Sequence, residues 1–364
     1  MLPEPDEDAR AASARLVAHI RAELAAEGGW IPFARYMELA LYAPGLGYYA
    51  GGATKLGAGG DFTTAPEAGT LFARTLARQV AALLEPGEPV LEFGAGSGAL
   101  AAALSDALPG TPYLILEASA ELAARQRARL GGRARWIERL PERFRGVMIA
   151  NEVLDAMPAH AVAWRRDAVM ERGVNADLAW EERPAEGAVL AAARALRIPP
   201  PYESEIGLAG RAWMTLVASR LERGALLAID YGFPAREYYH PQRAAGTLMC
   251  HYRHRAHDDP FFWPGLQDIT THLDFTALAH AARAGGAEVL GYCNQARFFV
   301  NCGITEVLEA EDAADAARYA PRAAEAQRLL SPAEMGEIFK VLAVGRGVRR
   351  PLLGFAEGER SHTL

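Results

Sequence analysis

Three glycines separated by single residues follow a short apolar run that contains an acid. Gly94, Gly96 and Gly98 form the pattern G-x-G-x-G, with Glu92 two residues before the first glycine. Glycine adopts positive φ and lets a ligand approach the backbone closely. A nicotinamide fingerprint is G-x-G-x-x-G, which binds a pyrophosphate at a helix N-terminus. The closer spacing here suits a ligand with an amino-acid tail and no phosphate, whose ammonium group Glu92 would hold.

A second acid, Glu117, ends the next apolar run, where it can accept hydrogen bonds from both hydroxyls of a ribose. Leu140 follows the third run, at the position where such folds commonly hold an adenine. The three features together predict S-adenosylmethionine as the cofactor and S-adenosylhomocysteine as its product. The alternatives are a glycine-rich turn without a ligand and an NAD-type oxidoreductase. The predicted contacts in this part of the chain are Glu92, Gly94, Ala95, Gly96, Ser97, Gly98, Glu117, Ala118, Leu140 and Asn151.

Polar residues also follow the fourth apolar run, which spans residues 146–150. Asn151, Glu152 and Asp155 stand there, at the edge of an open α/β sheet where ligands bind. A guanidinium has a pKa above about 12, so a methyl acceptor of this kind needs carboxylates that draw its charge to one side. We therefore predict Glu152 as the substrate carboxylate, supported by Asn151 and Asp155, with the segment 203–205 as the next source of an acid. The alternative is that Asp155 caps a turn and Asn151 satisfies loop backbone.

The elements that must position these residues alternate between strands and helices. The apolar runs predict strands at residues 89–93, 113–116, 135–137, 146–150, 225–229, 288–292 and 339–344. This alternation indicates an α/β fold with a doubly wound sheet. Seven strands are the count of a Rossmann-like class I methyltransferase, whereas the simple dinucleotide-binding fold has six.

The domain organisation follows from the same pattern. We predict an N-terminal helical cap and lid loop at residues 1–84, a core at 85–346 and a tail at 347–364. Two insertions interrupt the core, a β-hairpin at 161–205, where apolar residues alternate, and a loop at 233–271. Such long insertions favour a macromolecular acceptor over a small one.

Composition excludes several classes of protein. The net charge of −7 argues against nucleic-acid binding, and no apolar run approaches the roughly 20 residues of a membrane helix. The first ten residues are acidic, unlike a secretory or transit segment. The 3 cysteines suggest a reducing compartment, so we expect a bacterial cytoplasmic protein. His251, His254 and His257 lack a cysteine or glutamate that would complete a zinc pattern, and no metal is predicted. The oligomeric state is left open.

Several longer motifs are similar to those of one known family. The chain resembles the MidA family, also called the mitochondrial complex I assembly arginine methyltransferase family, which has bacterial members. The resemblance implies a class I fold, S-adenosylmethionine as cofactor and ω-N-methylation of arginine in a partner protein, such as a respiratory complex subunit. The segments that carry it are 36–37, 47–49, 60–67, 91–98, 151–156, 229–232, 246–248, 265–270, 274–275, 335–336 and 339–341.

The 60–67 motif can be interpreted as a loop that closes over the cofactor. Asp61 and the hydroxyls of Thr63 and Thr64 can bond to exposed backbone or to the ligand. A plain helix cap, with Pro66 in the first turn and Glu67 near the N-terminus, is the alternative. Two further functions stay open, a non-catalytic assembly factor that retains the cofactor fold and a small-molecule methyltransferase.

Overall fold

The computed structural model describes residues 2–51, 67, 69–310 and 316–364. The chain forms two compact units, each assembled from three separate stretches of sequence. The first unit comprises Met1–Phe62, Leu154–Arg211 and Ala235–Leu273, and the second comprises Thr63–Val153, Ala212–Pro234 and Asp274–Leu364. The two segments that we predicted as insertions therefore lie mostly in the first unit, together with the N-terminal residues.

The elements are numbered in chain order. The helices are α1 (Glu7–Ala26), α2 (Phe33–Tyr42), α3 (Leu71–Leu83), α4 (Ala99–Ala107), α5 (Ala120–Leu130), α6 (Gly187–Leu196), α7 (Leu208–Arg220), α8 (Ala235–Tyr238), α9 (Phe275–Ala284), α10 (Gln295–Asn301), α11 (Ile304–Glu309) and α12 (Ala316–Leu330). The strands are β1 (Trp30–Pro32), β2 (Val90–Phe93), β3 (Tyr113–Leu116), β4 (Arg135–Trp136), β5 (Phe144–Asn151), β6 (His160–Trp164), β7 (Val169–Asn175), β8 (Trp180–Pro184), β9 (Tyr202–Ile206), β10 (Leu221–Phe233), β11 (Met249–Tyr252), β12 (Arg255–His257), β13 (Asp268–Thr270), β14 (Leu273–Asp274), β15 (Glu288–Asn294) and β16 (Phe339–Arg346).

The second unit is built on a sheet in which seven strands lie side by side. Their order is β15-β16-β10-β5-β2-β3-β4. The strands from β4 to β10 are parallel, whereas β16 is antiparallel to both of its neighbours. Parallel strands are buried on both faces, which explains why they appear in the sequence as continuous apolar runs. The predicted fold class, a doubly wound α/β sheet with seven strands side by side, is confirmed, and the short β14 pairs with β10 as an eighth strand.

One face of this sheet forms the largest hydrophobic core. Side chains of β2, β3, β5 and β10 pack there against α3 and α4, and the segment Leu352–Phe355 closes one side. Helix α3 therefore belongs to the core of the second unit, although we had assigned its residues to the N-terminal cap. Its buried residues recur along almost the whole helix, which is the pattern of a helix enclosed by the core.

The first unit contains two antiparallel sheets. Strands β1, β7, β6 and β9 lie in that order, and β8 pairs with the free side of β7. The predicted hairpin is thus part of a five-stranded sheet, packed against α2 on one side. The second sheet has the order β12-β11-β13. The prediction of a loop over residues 233–271 is wrong, because this segment forms β11, β12 and β13 and also contains α8. Its strands were missed because each has only three or four residues.

Candidate functional site

The glycine-rich turn joins β2 to α4 through three left-handed residues. Gly94, Gly96 and Gly98 have φ of 58°, 53° and 79°, and Gly98 is the N-cap of α4. The Gly94 N–H donates to the carbonyl of Leu116 at 3.0 Å, which fixes the turn to the end of β3. A Cβ on Gly94 would lie 3.3 Å from Cγ2 of Val153. The loop that follows β5 therefore lies directly against this turn.

Glu117 follows β3, and its carboxylate is oriented by donors on both oxygens. The Ser119 N–H donates to Oε1 at 3.0 Å, and Nε2 of Gln126 donates to Oε2 at 2.8 Å. Burial raises the pKa of Glu117, and the backbone N–H of Gly96 is among the donors that oppose this rise. The sequence predicted the acid. Gln126 belongs to none of the predicted motifs.

Glu92 lies inside the core of the sheet. It is 3% exposed, and its Oε2 accepts a hydrogen bond from the Tyr113 hydroxyl at 2.7 Å. Burial, the largest cause, and the nearby charge of Glu117 raise the pKa of Glu92 to about 7. Contact of Glu92 with an amino-acid tail stays a prediction, because the partner seen here is a phenol of the neighbouring strand.

Ser97 connects the turn to Glu67 and to α5. Its hydroxyl donates to the Glu67 carboxylate, and Nη1 of Arg129 donates to the Ser97 hydroxyl oxygen, Oγ, at 2.6 Å. Arg129 and Glu67 also form an ion pair of 3.9 Å. Glu67 is the one member of the 60–67 motif that is described; Asp61, Thr63 and Thr64 lie outside the described residues. Of the remaining predicted contacts, Ala95 is buried, Ala118 is exposed and Leu140 is partly exposed in the turn after β4.

Glu152 occupies a left-handed backbone conformation immediately after β5. Its φ is 52°, and its N–H donates to the carbonyl of Ile229 at 2.9 Å. The next N–H, of Val153, donates to Oδ2 of the fully buried Asp230 at 3.2 Å. The Asn151 amide donates to Oε1 of Glu152 at 3.2 Å, whereas its own Oδ1 is buried without a hydrogen-bond partner among the residues that the structure describes. Asn151 and Glu152 thus lie together, and the next residue, Val153, lies against the glycine turn.

Comparison with known proteins assigns this chain to a family. The profile of the family described as "Putative S-adenosyl-L-methionine-dependent methyltransferase" matches residues 71–293. The chain belongs to this family. It is 51% identical to a COG1565 superfamily member from Burkholderia thailandensis, crystallised with S-adenosyl-homocysteine, with a TM-score of 0.96 and coverage of 100% of both chains. A native crystal structure of a COG1565 superfamily protein from the same organism is 50% identical, with a TM-score of 0.93 over 100% of both chains.

A more distant relative carries a specific activity in its name. The zebrafish (Danio rerio) protein arginine methyltransferase NDUFAF7, mitochondrial, is 27% identical over 411 residues, covering 94% of this chain and 93% of the relative. The methyltransferase reaction and its cofactor, S-adenosylmethionine, are therefore established for the family of this chain.

The residues at the turn have the chemistry that this cofactor needs. A ribose diol requires a fixed acceptor, which the oriented carboxylate of Glu117 can provide. Close approach to a backbone requires residues without a Cβ, and Gly94 and Gly96 meet this requirement.

The third predicted substrate residue of the methyltransferase, Asp155, belongs to the first unit. It is buried, and its carbonyl accepts the Thr271 N–H at 3.0 Å. Its charge, with that of Asp268, adds to burial in raising the pKa of Tyr49, whose hydroxyl donates to Asp268 at 2.9 Å. Its support of Glu152 stays a prediction, because the two residues are described in different units.

The acids of the 203–205 segment are both engaged in the first unit. Glu203 forms ion pairs with Arg165 and with Arg172. Glu205 is buried and accepts both the N–H and the hydroxyl of Thr247 at 2.8 Å. These contacts tie β9 to neighbouring strands and to the segment that precedes β11, so both carboxylates have a structural use.

Two further features of the methyltransferase concern metals and membranes. Over residues 2–51, 67, 69–310 and 316–364, no three His, Cys, Asp or Glu side chains are grouped as metal ligands would be. His251 and His257 lie on adjacent strands, β11 and β12. In the same described ranges, no helix combines the length and the apolar character that crossing a membrane requires.

Proposed function

We propose that this methyltransferase methylates a guanidinium nitrogen of arginine in a partner protein. The observation that carries the proposal is the strained, doubly anchored position of Glu152 beside the glycine turn. A non-glycine residue at φ 52° costs about 1 to 3 kcal/mol, and such strain concentrates at functional sites. With its backbone anchored and the Asn151 amide donating to Oε1, the Glu152 carboxylate would bind a cation with less loss of side-chain entropy.

The cofactor is proposed to lie on the turn at residues 94–98. In this proposal Gly94 and Gly96 admit the amino-acid tail, and Glu117 accepts the ribose hydroxyls. Ala118 and Leu140 would flank the adenine, and the segment with Asp61, Thr63 and Thr64 would cover the ligand. The closeness of Gly94 and Val153 supports the proposal. Val153 directly follows Glu152, so the loop with the predicted substrate residues lies next to the cofactor turn.

The reaction needs alignment and control of one proton. S-adenosylmethionine would supply an electrophilic methyl group on a sulfonium. As the N–CH₃ bond forms, the electron pair of the broken S–CH₃ bond stays on sulfur, and the proton that the acceptor nitrogen loses would pass by way of the Glu152 carboxylate to solvent. A carboxylate beside the guanidinium concentrates its charge on the far nitrogens and leaves a lone pair on the reacting one. Glu152 would take this role, and the amide of Asn151 would hold Glu152 in place.

Similarity to the zebrafish arginine methyltransferase supports an arginine acceptor, and the first unit supports a large one. That unit has sheets of its own and contributes surface far beyond what a small substrate requires.

The test compares protein arginine methylation in cells with and without the gene. Deletion should remove one or a few methylarginine sites detected by mass spectrometry, and wild-type protein should restore them, whereas a Glu152→Gln variant should not. Purified protein should then methylate an arginine peptide of that sequence but not its lysine counterpart. Unchanged methylarginine together with methylation of a small metabolite would overturn the arginine proposal while leaving the methyltransferase intact.

A further inference from the structure

Gln126 connects the turns that follow β2 and β3 with the side chain of Trp136 on β4. It lies on α5, is fully buried, and makes three side-chain hydrogen bonds. Its Nε2 donates to Oε2 of Glu117 at 2.8 Å and to the carbonyl of Gly96 at 2.9 Å, and its Oε1 accepts from Nε1 of Trp136 at 2.9 Å. One amide thereby joins the end of β3, the glycine turn after β2, and β4.

The orientation of this amide is determined by its partners. An indole N–H only donates, so the amide oxygen must face Trp136. Both N–H bonds of Gln126 then point at acceptors, the Glu117 carboxylate and the Gly96 carbonyl. Trp136 is itself held against the helix by Arg127, whose guanidinium lies 5.1 Å from the ring centroid. The direction of the donor pair is therefore fixed by packing outside the turn.

We propose that Gln126 is a positioning residue for the cofactor, holding the Glu117 carboxylate and the Gly96 turn at the spacing that the ribose and the amino-acid tail require. The inference rests on the proposed cofactor site at the turn. A residue that orients a ligand-binding side chain in this way typically changes affinity or activity by about 10- to 100-fold when it is removed, as the outer-shell partners of metal ligands do.

Packing alone does not require an amide at this position. The buried neighbours of Gln126 on α5 are Leu122, Ala123 and Leu130, so an apolar side chain of the same length would suit the helix face. A buried polar side chain that makes three hydrogen bonds costs little free energy itself. Its loss, however, leaves the partly buried Glu117 carboxylate without one of its donors.

The charged groups around this contact are few and can be named. Glu117 lies on the donor side, with Glu92 behind it on β2. Arg127 lies over Trp136 on the other side, and Arg129 faces Ser97, where Glu67 approaches from the segment before α3.

The experiment measures S-adenosylhomocysteine binding by calorimetry in wild type, Gln126→Met and Gln126→Glu at pH 5.5 and 8.5. Gln126→Met should weaken binding about tenfold at both values. Gln126→Glu places two carboxylates in contact, so one proton is shared at low pH and lost at high pH. Its affinity relative to wild type should therefore fall at least about tenfold between pH 5.5 and 8.5. Arg125→Met, on the exposed side of the same helix, is the matched control and should bind as wild type does.

A purely structural role predicts a different result. It would lower the melting temperature of Gln126→Glu but leave its affinity ratio to wild type unchanged with pH, and that outcome would overturn the inference. Wild-type affinity in Gln126→Met would also overturn the inference. Glu117→Ala separates the two proposals: if it retains full affinity, the cofactor site itself is misplaced, whereas if it loses affinity and the Gln126 variants do not, only the role of Gln126 fails.

Discussion

The backbone of Glu152 stores strain that the surrounding structure compensates. A residue with a Cβ is disfavoured at a left-handed φ. Glu152 keeps this φ because the N–H groups of Glu152 and Val153 both donate hydrogen bonds to β10. Glycine would adopt the same angles without cost. A glutamate that persists in this conformation therefore points to a use for its carboxylate.

Glu152→Gln tests that use, because it removes charge and keeps shape. We expect catalysis to fall at least about 100-fold, roughly 2.7 kcal/mol of transition-state stabilisation, with S-adenosylhomocysteine affinity and melting temperature nearly unchanged. Glu152→Gly is the matched variant: it should be equally inactive yet more stable, because the strain is relieved. Kinetics, calorimetry and thermal unfolding measure the three quantities.

Other results would reassign the residue. Lost cofactor binding in Glu152→Gln would move Glu152 into the cofactor site. A large loss of stability would make it structural, and unchanged methylation would remove it from the chemistry.

Glu92 should make stability depend on pH. Its pKa rises from 4.5 to about 7 on folding, so the native state binds the proton more tightly than the unfolded chain. This contribution to stability is present at low pH and is lost as pH rises from 4.5 through 7. Glu92→Gln lacks the effect, so its stability relative to wild type should improve by on the order of 2 to 3 kcal/mol between pH 4.5 and 8.

Urea unfolding at the two pH values measures this difference, with the exposed Glu142→Gln variant as the control for loss of one charge. A difference that does not change with pH would show that Glu92 titrates normally. If Glu92 also held the cofactor ammonium, Glu92→Gln would lose affinity for S-adenosylhomocysteine in the same preparation.

At the scale of elements, the sequence predicted best what burial determines. Residues 90–93 and 113–116 are apolar except for Glu92 and are followed by Gly94 and Glu117, so their strands were predicted to within a residue. Strand β10 is longer than the predicted 225–229, because its ends carry Arg223 and Tyr231, which extend the pairing without adding to an apolar run.

The missed elements and contacts have physical reasons as well. Strand β1 has three residues and ends at Pro32, which a sequence pattern cannot distinguish from the start of α2. The partners of Gln126 come from β3, β4 and the glycine turn, and only the folded sheet brings these together. A glutamine on the buried side of an amphipathic helix was the one available signal.

Asp230 links β10 to the loop that follows β5. Its carboxylate accepts the N–H of Val153, after β5, and that of Tyr231, on its own strand, at 3.2 and 2.9 Å. Asp230→Asn replaces one acceptor by an NH₂ that faces an N–H, so the loop should lose its anchor. We expect at least about a tenfold loss of turnover with little change in cofactor affinity.

Turnover and calorimetry of Asp230→Asn decide this point. Asp106→Asn, which alters an exposed side chain on the same unit, is the control. Full activity in Asp230→Asn would show that the backbone bond between Glu152 and Ile229 holds the loop without it.

At the scale of the whole molecule, ligand binding should appear as stability. S-adenosylhomocysteine at about 100 times its Kd adds about 2.7 kcal/mol to the folded state, whereas NAD should add nothing, because the turn lacks the pyrophosphate spacing. Gly96→Val should abolish the thermal shift. Gly110→Val is matched to it, since Gly110 also has positive φ, 78°, but lies in an open turn.

Differential scanning fluorimetry with both ligands measures the effect. The Gly110→Val protein should be destabilised and still respond to S-adenosylhomocysteine. A shift with NAD, or an undiminished shift in Gly96→Val, would contradict the proposed turn.

The position of β16 has a consequence for synthesis on the ribosome. This strand is the last of the sheet to be made, yet it pairs on both sides, with β10 and with β15. Until residues 339–346 emerge, the edge of β10 that pairs with β16 stays open and β15 lacks the strand that joins it to the sheet; open strand edges can pair with other chains. A chain truncated before residue 339 cannot close the gap. Completion of the sheet in the newly made protein thus depends on residues 339–346.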